Sequence, residues 1–416
     1  MWRSEPLQGR GVRTAVECRY YQREVAKDVA PRFATVVRFL RDAALVDRAV
    51  RVACRGSTPG AFSVAQTASH GVGGLTLVLE KPDIQDARIA ACLQDEYGLP
   101  VHGVTFLPLG ADVNTAVYRA VAEDGTPYFV KLRRGVFDET TVALPKFLSD
   151  QDIVQIIAPL AARTGHLWAS LDPFQLILYP FVEGHNAYEV ELSDRHWVDL
   201  GTALKRIHTA EAPPALTRRI RQEAYSPQWR EMVREFLVRV EDDRFDDPVA
   251  AELAAFLKAR REQILDLVGR AERLALALQS RPPDFVVCHS DIHAGNILVD
   301  ADGALHIVDW DNPILAPKER DLMFVGGGLG GAGHAAEEEE TLFYQGYGET
   351  QIDPVALAYY RYERVIQDIA AFCEQILLTQ GGGEDREQSL RYLTSSFLPG
   401  GVLEIACKSD RTLRDR

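Results

Sequence analysis

The stretch "HSDIHAGNILVDADGALHIVDWD", His289 to Asp311, decides how the rest of this chain is read. Asp302-Gly303 is a turn signal between the strand-like runs "NILVD" and "ALHIVD", because both residues tolerate the left-handed backbone of a tight hairpin. A two-residue turn there pairs Ile297 with Val308 and Asn296 with Asp309. Directly opposed side chains share a face, with Cβ atoms about 5 Å apart. The hairpin is therefore expected to bring an amide oxygen and a carboxylate to one spot at its open end. Such hard oxygens suit Mg2+, which takes a couple of protein ligands and completes its shell with water and substrate phosphates. Asp291, five residues before Asn296, lies on the loop entering the hairpin, where its carboxylate can accept the proton of a substrate hydroxyl. An Asp and an Asn at this spacing, followed by a strand-borne Asp, form the arrangement of kinase-type phosphoryl transfer. Taken singly, each would read as a turn or cap residue. Together around one hairpin they read as a site.

That reading demands a lysine upstream, on a strand, to hold the α and β phosphates. "YFVKL" supplies Lys131 in an apolar run. Between Lys131 and Gln151 the only acids are Asp138, Glu139 and Asp150, so Glu139, near the start of the next helix, is the expected carboxylate partner.

A chain of 416 residues exceeds one ordinary core, so two lobes and an appendage are expected. No apolar run is long enough to span a bilayer and no secretory signal opens the sequence, which leads to the expectation of a cytoplasmic protein. The six cysteines (Cys18, Cys54, Cys92, Cys288, Cys373, Cys407) are scattered without metal-ligand spacing and read as reduced, structural residues. Cys288 closes an apolar strand next to His289 and reads as a small buried hydrophobe, not a nucleophile. The net charge of −14 argues against nucleic acid or an anionic membrane as partner and favours a cationic small molecule.

The charge is uneven: residues 1–77 hold twelve Lys and Arg against six acids, so the acidic character belongs to the remainder. From Leu79 the texture becomes regular. "DIQDARIAACLQDEYG" reads as an amphipathic helix, "VTFLPLG", "TAVYRAV" and "PYFVKL" as strands, and "FQLILYPF" as another strand. Beyond Gly184 the pattern is mainly helical, with "DPVAAELAAFLKARREQILDLVGRAERLALALQS" reading as one long helix. The expected fold class is α+β and bilobal: a small lobe with an antiparallel sheet at residues 78–183 and a larger helical lobe at 184–416. "GGGLGGAG" formally contains a dinucleotide fingerprint at Gly326, Gly328 and Gly331, but no strand of a βαβ unit precedes it, so it reads as a loop. Glu337 to Glu340 read as a solvated helix start.

At this point the residues resemble the aminoglycoside phosphotransferase family, and within it the spectinomycin branch. "CHSDIHAGNILVD" is similar to the family's catalytic loop and "IVDWD" to its metal segment. "LEKPDI", "LPKFLSD", "LILYPFVEG" and "APKERDLMF" are similar to the spectinomycin branch. The resemblance runs from about Leu79 to the C-terminus and implies a protein-kinase-like fold that uses ATP and Mg2+. It implies Asp291 as catalytic, Asn296 and Asp309 as metal ligands, and Lys131 on the phosphates. Tyr179, Phe181 and Val182 would belong to the strand linking the lobes, whose backbone meets adenine. Asp321 and His289 would support the catalytic loop; the resemblance gives His293 no role.

This chain departs from the protein-kinase pattern. Its phosphate loop, "LGADVNT", has one glycine, Gly110, so backbone N–H groups with Asn114 or Thr115 are expected to serve the phosphates. Asp309-Trp310-Asp311 stands where protein kinases have Asp-Phe-Gly, and His289-Ser290-Asp291 lacks their arginine. Both changes turn substrate choice toward small molecules. Spectinomycin carries two methylamino groups, which makes Asp311, Glu363, Asp368 and Glu374 candidate ammonium partners. Residues 1–77 have no counterpart in the resemblance and are expected to be a poorly ordered extension produced by a misassigned start, the enzyme beginning near Val78 or Leu79. A monomer or homodimer is expected. Two alternatives stand beside this reading: a metabolic kinase for choline, homoserine or a sugar amine, and a regulatory pseudokinase.

Overall fold

Along "PYFVKLRR", Val130 and Leu132 are fully buried on one side, and the pleat turns Lys131 and Arg133 to the other. That alternation builds the smaller lobe. The computed structural model describes residues 81–108, 114–329, 334–379 and 383–414; the expectations for residues 1–77 and for Gly110 lie outside the described residues. Helix α1 (Asp86–Cys92) runs through a wider turn to Tyr97 and stops at Gly98 (φ +67°), the left-handed position that glycine takes after a helix. Strands β1 (Val101–Leu107), β2 (Thr115–Ala122), β3 (Pro127–Arg134), β4 (Ala169–Leu171) and β5 (Phe174–Pro180) form an antiparallel sheet in the order β1-β2-β3-β5-β4. Ile89 and Leu93 close its inner face over Tyr118, Ala120, Val130, Leu132 and Leu176. On the other face Lys131 lies between Val117 and Ile177 in register, so apolar neighbours flank its stem and its ammonium points to the cleft.

Helix α2 (Thr140–Asp150) belongs to the other lobe by packing: Leu144 and Leu148 join the large core with Ile153, Leu200, Leu204 and Ile292. The strand pair β9 (Ile297–Asp300) and β10 (Leu305–Ile307) is joined by β6 (Gly184–Asn186), while β7 (Arg221–Gln222) and β8 (Val286–Cys288) flank β11 (Ile314–Ala316). Around them stand α3 (Asp194–His208), α4 (Gln228–Asp242), α5 (Pro248–Ala259), α6 (Arg261–Ser280), α7 (Ala336–Tyr347), α8 (Pro354–Leu378), α9 (Gly383–Ser395) and α10 (Val402–Arg414). The run read as one long helix is two, broken at Arg260 (φ −107°, ψ 6°). The break lets Leu253 and Leu257 on one side, and Ile264 and Val268 on the other, pack into one cluster with Tyr362, Val365, Ile366 and Ile369 of α8.

The hairpin's register also differs from expectation. Ile307 faces Ile297 and Leu305 faces Val299, one residue off the pairing that a two-residue turn would give. The loop holds three residues: Asp300 N donates to Ala304 O, Gly303 N donates to Asp300 O, and Gly303 takes φ +77°. Asp300 Oδ1 accepts from the N–H groups of Asp302 and Ala304, which favours the longer turn with a left-handed third residue over the tighter one. Asn296 therefore meets Val308, whose N–H donates to Asn296 O at 3.0 Å, and Asp309 lies one residue past the pair.

Glu339 is buried and accepts from Gly327 N at 2.7 Å, so that part of the acidic run is not solvated; burial pushes its carboxyl up. Residues 326–329 form turns that follow a short helix, not a strand, which removes the dinucleotide context. Cys92, Cys288, Cys373 and Cys407 are unpaired, and burial raises the Cys288 thiol, against any nucleophilic use. No helix among the described residues is long and apolar enough to cross a membrane.

Candidate active site

The loop after β8 is held from beneath by one buried carboxylate. Asp321, fully buried on the short helix Glu319–Leu322, accepts from His289 N at 2.9 Å and Ser290 N at 2.6 Å. His208 Nε2 reaches the same carboxylate at 3.0 Å, and its Nδ1 meets the Tyr347 hydroxyl at 2.8 Å. Burial alone would raise the Asp321 carboxyl, but the bonds from His208 and Ser290 hold it below the usual range. His208, Cys288 and Asp321 have metal-ligand spacing, yet the His and Asp atoms are consumed by this network, so the cluster is structural. Ser290 takes φ +74°, and its hydroxyl donates to Asn312 O. His289 then ties the loop to the hairpin: Nε2–H donates to Val308 O at 3.0 Å, and Nδ1 accepts from Asp291 N at 3.3 Å.

The Asp291 carboxylate stands above this platform. Arg364 Nη1 donates to Oδ1 at 2.6 Å, and His293 Nε2 faces Oδ2 at 3.5 Å. His293 Nδ1 accepts from Gly295 N, which puts the ring proton on Nε2, toward the carboxylate. Tyr188 stacks on that ring at 6.2 Å. Burial would raise the Asp291 carboxyl, but Arg364 and His293 hold it well below the usual carboxylate range. Asp368 lies one turn along α8, 3.2 Å from Arg364 Nε; burial pushes its carboxyl up despite the arginine. Asn296 Nδ2 donates to Asp291 O at 2.9 Å, leaving its Oδ1 as the oxygen available to a cation.

Across the cleft, Lys131 Nζ lies 3.0 Å from Asp309 Oδ1 and 2.6 Å from Asp311 Oδ1. Arg133, two residues along β3 on the same face, meets Asp311 Oδ2 at 2.8 Å. Burial would lower the Lys131 ammonium, but the two carboxylates raise it well above its ordinary value, so it stays charged. Asp309 takes φ +66°, a left-handed conformation rare for a residue with a Cβ, which swings its carboxylate off the strand line. The Tyr179 phenol shares this corner and is pushed up to about 12 by burial. Strand β5 pairs only as far as Pro180 with Tyr128, so Phe181 and Val182 lie past the ladder. Thr115 is opposite Arg133, and Asn114 O accepts from Arg134 N at 2.8 Å, at the end of the sheet that carries Lys131.

An acid on a loop, an amide tied to it, a strand lysine across the cleft and two more carboxylates match the parts of a phosphoryl-transfer site. Residues 105–354 match the model of the phosphotransferase enzyme family. The chain belongs to that family. It is similar to a spectinomycin phosphotransferase solved with ADP and spectinomycin: 38% identity over 79% of this chain and 99% of the other, TM-score 0.72. The AMP complex of spectinomycin phosphotransferase gives 37% identity over 77% and 98%, TM-score 0.68. An aminoglycoside phosphotransferase from Alicyclobacillus acidocaldarius shares the fold at 13% identity over 81% and 97%, TM-score 0.54. A comparison with curated proteins gave no significant match.

Several residues of this phosphotransferase are not where the sequence led us to expect. Glu139 pairs with Arg219 at 2.7 Å, not with Lys131, because α2 packs into the larger core and carries its N-terminus with it. The acids that meet Lys131 are Asp309 and Asp311. Asp311 is therefore committed to the β3 cations and is withdrawn as an ammonium partner. Glu363 is withdrawn too: it is 4% exposed, packed 3.7 Å from Arg230 inside the helical core. Asp368 stands beside Asp291 through Arg364, and Glu374 lies exposed farther along α8. The sequence reading missed Arg364, Arg133, His208 and the proton-bearing face of His293. Arg133 had a signal, since alternate residues of a strand share a face with Lys131. Arg364 had a weaker one, its helical spacing from Asp368.

Burial pushes the Glu363 carboxyl up to about 7, with Arg230 opposing the shift. A folded-state value above the unfolded one means this group's contribution is fully present below about pH 4.5 and is lost as pH rises through about 7. The loss is on the order of 3 kcal/mol. In thermal melts at pH 5 and pH 8, Glu363→Gln should decline less between the two than the wild type. Equal declines would show that Glu363 stays ionised throughout.

Proposed function

We propose that this phosphotransferase moves the γ-phosphoryl group of ATP, with Mg2+, to a hydroxyl of a cationic aminocyclitol, with spectinomycin as the expected acceptor. The observation that carries the reading is the Asp291 carboxylate between Arg364 and His293, its backbone carbonyl tied to Asn296, with Lys131 reaching Asp309 across the cleft. The similarity to a spectinomycin phosphotransferase supports the acceptor. On this reading residues 78–183 carry the phosphate-binding sheet, and 184–416 carry the catalytic loop and the acceptor site.

The donor set suits Mg2+: Asn296 offers a carbonyl oxygen and Asp309 a carboxylate, both hard oxygens. Asn296 and Asp309 would hold the ion, which neutralises phosphate charge when bound. Lys131 holds phosphate oxygens, and Arg133 adds a second cation on the same strand face. Asp291 stays ionised and orients the acceptor hydroxyl, taking its proton as the bond to phosphorus forms. A strongly acidic carboxyl suits this role, because a loose transfer needs alignment more than prior deprotonation. Asp368 and the ring of Tyr188 line the acceptor side, where a carboxylate and an aromatic face attract an ammonium group.

The test is ADP release with Mg2+·ATP against spectinomycin, streptomycin, kanamycin, hygromycin, choline and homoserine, with Asp291→Ala as the blank. Turnover on spectinomycin is the expected result. Turnover on choline or homoserine alone would make the enzyme a metabolic kinase, and nucleotide binding without turnover on any acceptor would favour a regulatory role.

A further inference from the structure

Arg364 is not required by the phosphate-side chemistry, and no part of the proposed transfer calls for a cation beside Asp291. Its side chain is nonetheless fixed on three sides. Nη1 donates to Asp291 Oδ1 at 2.6 Å, Nε meets Asp368 Oδ1 at 3.2 Å, and the guanidinium lies over the Phe324 ring at 5.6 Å. Each support is itself anchored. Asp368 sits one turn along the same helix, and Phe324 is 4% exposed, two residues past the short helix that bears Asp321. The segment that grips the loop backbone through Asp321 therefore also carries the platform beneath Arg364.

Resting on the phosphotransferase reading above, we propose that Arg364 is a positioning residue for the transfer: its guanidinium holds Asp291 Oδ1 and so aims Oδ2 at the acceptor hydroxyl. The two oxygens divide the work. Oδ1 is taken by the arginine, while Oδ2 meets the longer 3.5 Å approach of His293 Nε2. A planar guanidinium suits this task because its donors are fixed in one plane, whereas a lysine ammonium would leave the carboxylate free to rotate. An acid whose side chain is 34% exposed would otherwise sample several rotamers, and misplacement of about 1 Å at a reacting group costs roughly 10²-fold in rate.

The experiment compares Arg364→Gln and Arg364→Lys with wild type, measuring kcat, KM for Mg2+·ATP, KM for the acceptor and Tm, together with ADP release to water in the absence of acceptor. Arg364→Gln should lower kcat about 10²-fold, with KM for Mg2+·ATP unchanged. Arg364→Lys should recover part of that loss, because it restores the charge without the fork. An unchanged kcat in Arg364→Gln overturns the proposal. A raised kcat does too, since it would make the arginine a block on the hydroxyl's place. Parallel losses in kcat, both KM values and Tm, shared by the Lys variant, would reduce Arg364 to a structural prop. A wild-type enzyme silent on every acceptor and on water sinks the acceptor reading and this inference with it. A wild-type enzyme that turns over while Arg364→Gln equals it sinks only the inference.

Discussion

Asp291→Ala is expected to lower kcat roughly 10³-fold, the scale of a lost general base, while leaving KM for Mg2+·ATP within about 2-fold. The separation follows from which atoms of Asp291 do what. Its backbone carbonyl holds Asn296 Nδ2 and accepts from His293 N, and any residue supplies that carbonyl. Its side chain meets Arg364 and His293, while the Asp309 carboxylate meets Lys131. The nucleotide side should therefore survive the substitution. Stability should change little, because Arg364 keeps Asp368 and its place over Phe324. Nucleotide titration by calorimetry, alongside steady-state ADP release, reads both halves. A variant that loses ATP affinity in step with kcat would mean that Asp291 belongs to the nucleotide site.

How much of this was legible in the sequence depends on whether the signal was local. The antiparallel strands of the small lobe were, because "TAVYRAV", "EDGT" and "PYFVKL" carry their own turn and their own alternation. Lys131 in the cleft followed from the same pleat. The hairpin's register did not, since one side chain decided it: Asp300 gathers two N–H groups of the loop and makes a three-residue turn better than a two-residue one. The long apolar run hid its break for a similar reason. The periodicity on either side of Arg260 is helical, and only the shared cluster on α8 rewards bending there.

The site divides in the same way. The closeness of Asp291, Asn296 and Asp309 on one loop and hairpin was readable because they are near along the chain, although the pairing of Asn296 with Asp309 was not. Partners that come from distant elements were not. Glu139 was chosen as the nearest acid along the chain, yet α2 answers to the large core, which carries Glu139 to Arg219. Arg364 is 73 residues from Asp291, and a helix with many charges gives no hint of which one turns inward. Glu363 and Arg364 are neighbours in sequence, but about 100° of helical rotation separates them. One faces the core and the other Asp291.

Asp309→Asn should separate charge from shape at the metal side. Asp309 holds φ +66°, which Asn tolerates better than most residues, so the backbone that swings this side chain into the cleft is kept. Ala at the same position would add strain of about 1 kcal/mol and confuse the comparison. What Asn removes is one carboxylate that Lys131 shares with Asp311. The lysine remains paired through Asp311, and the side chain of Asp309 is 49% exposed, so the fold should hold and Tm should stay near that of wild type. The proposed metal ligand, however, becomes neutral. We expect affinity for Mg2+·ATP to fall on the order of 10²-fold, with part of the loss recovered at high Mg2+. The acceptor's KM should stay unchanged, because the Asp309 carboxylate pairs with Lys131, whereas Asp291, Arg364 and Asp368 are held to one another. The opposite pattern, an intact nucleotide KM with a weakened acceptor, would move Asp309 out of the metal site and into acceptor recognition. Measuring ADP release across a Mg2+ titration for both Asp309→Asn and Asp291→Ala puts the two carboxylates on one scale. Only the Asp309 variant should respond to added metal.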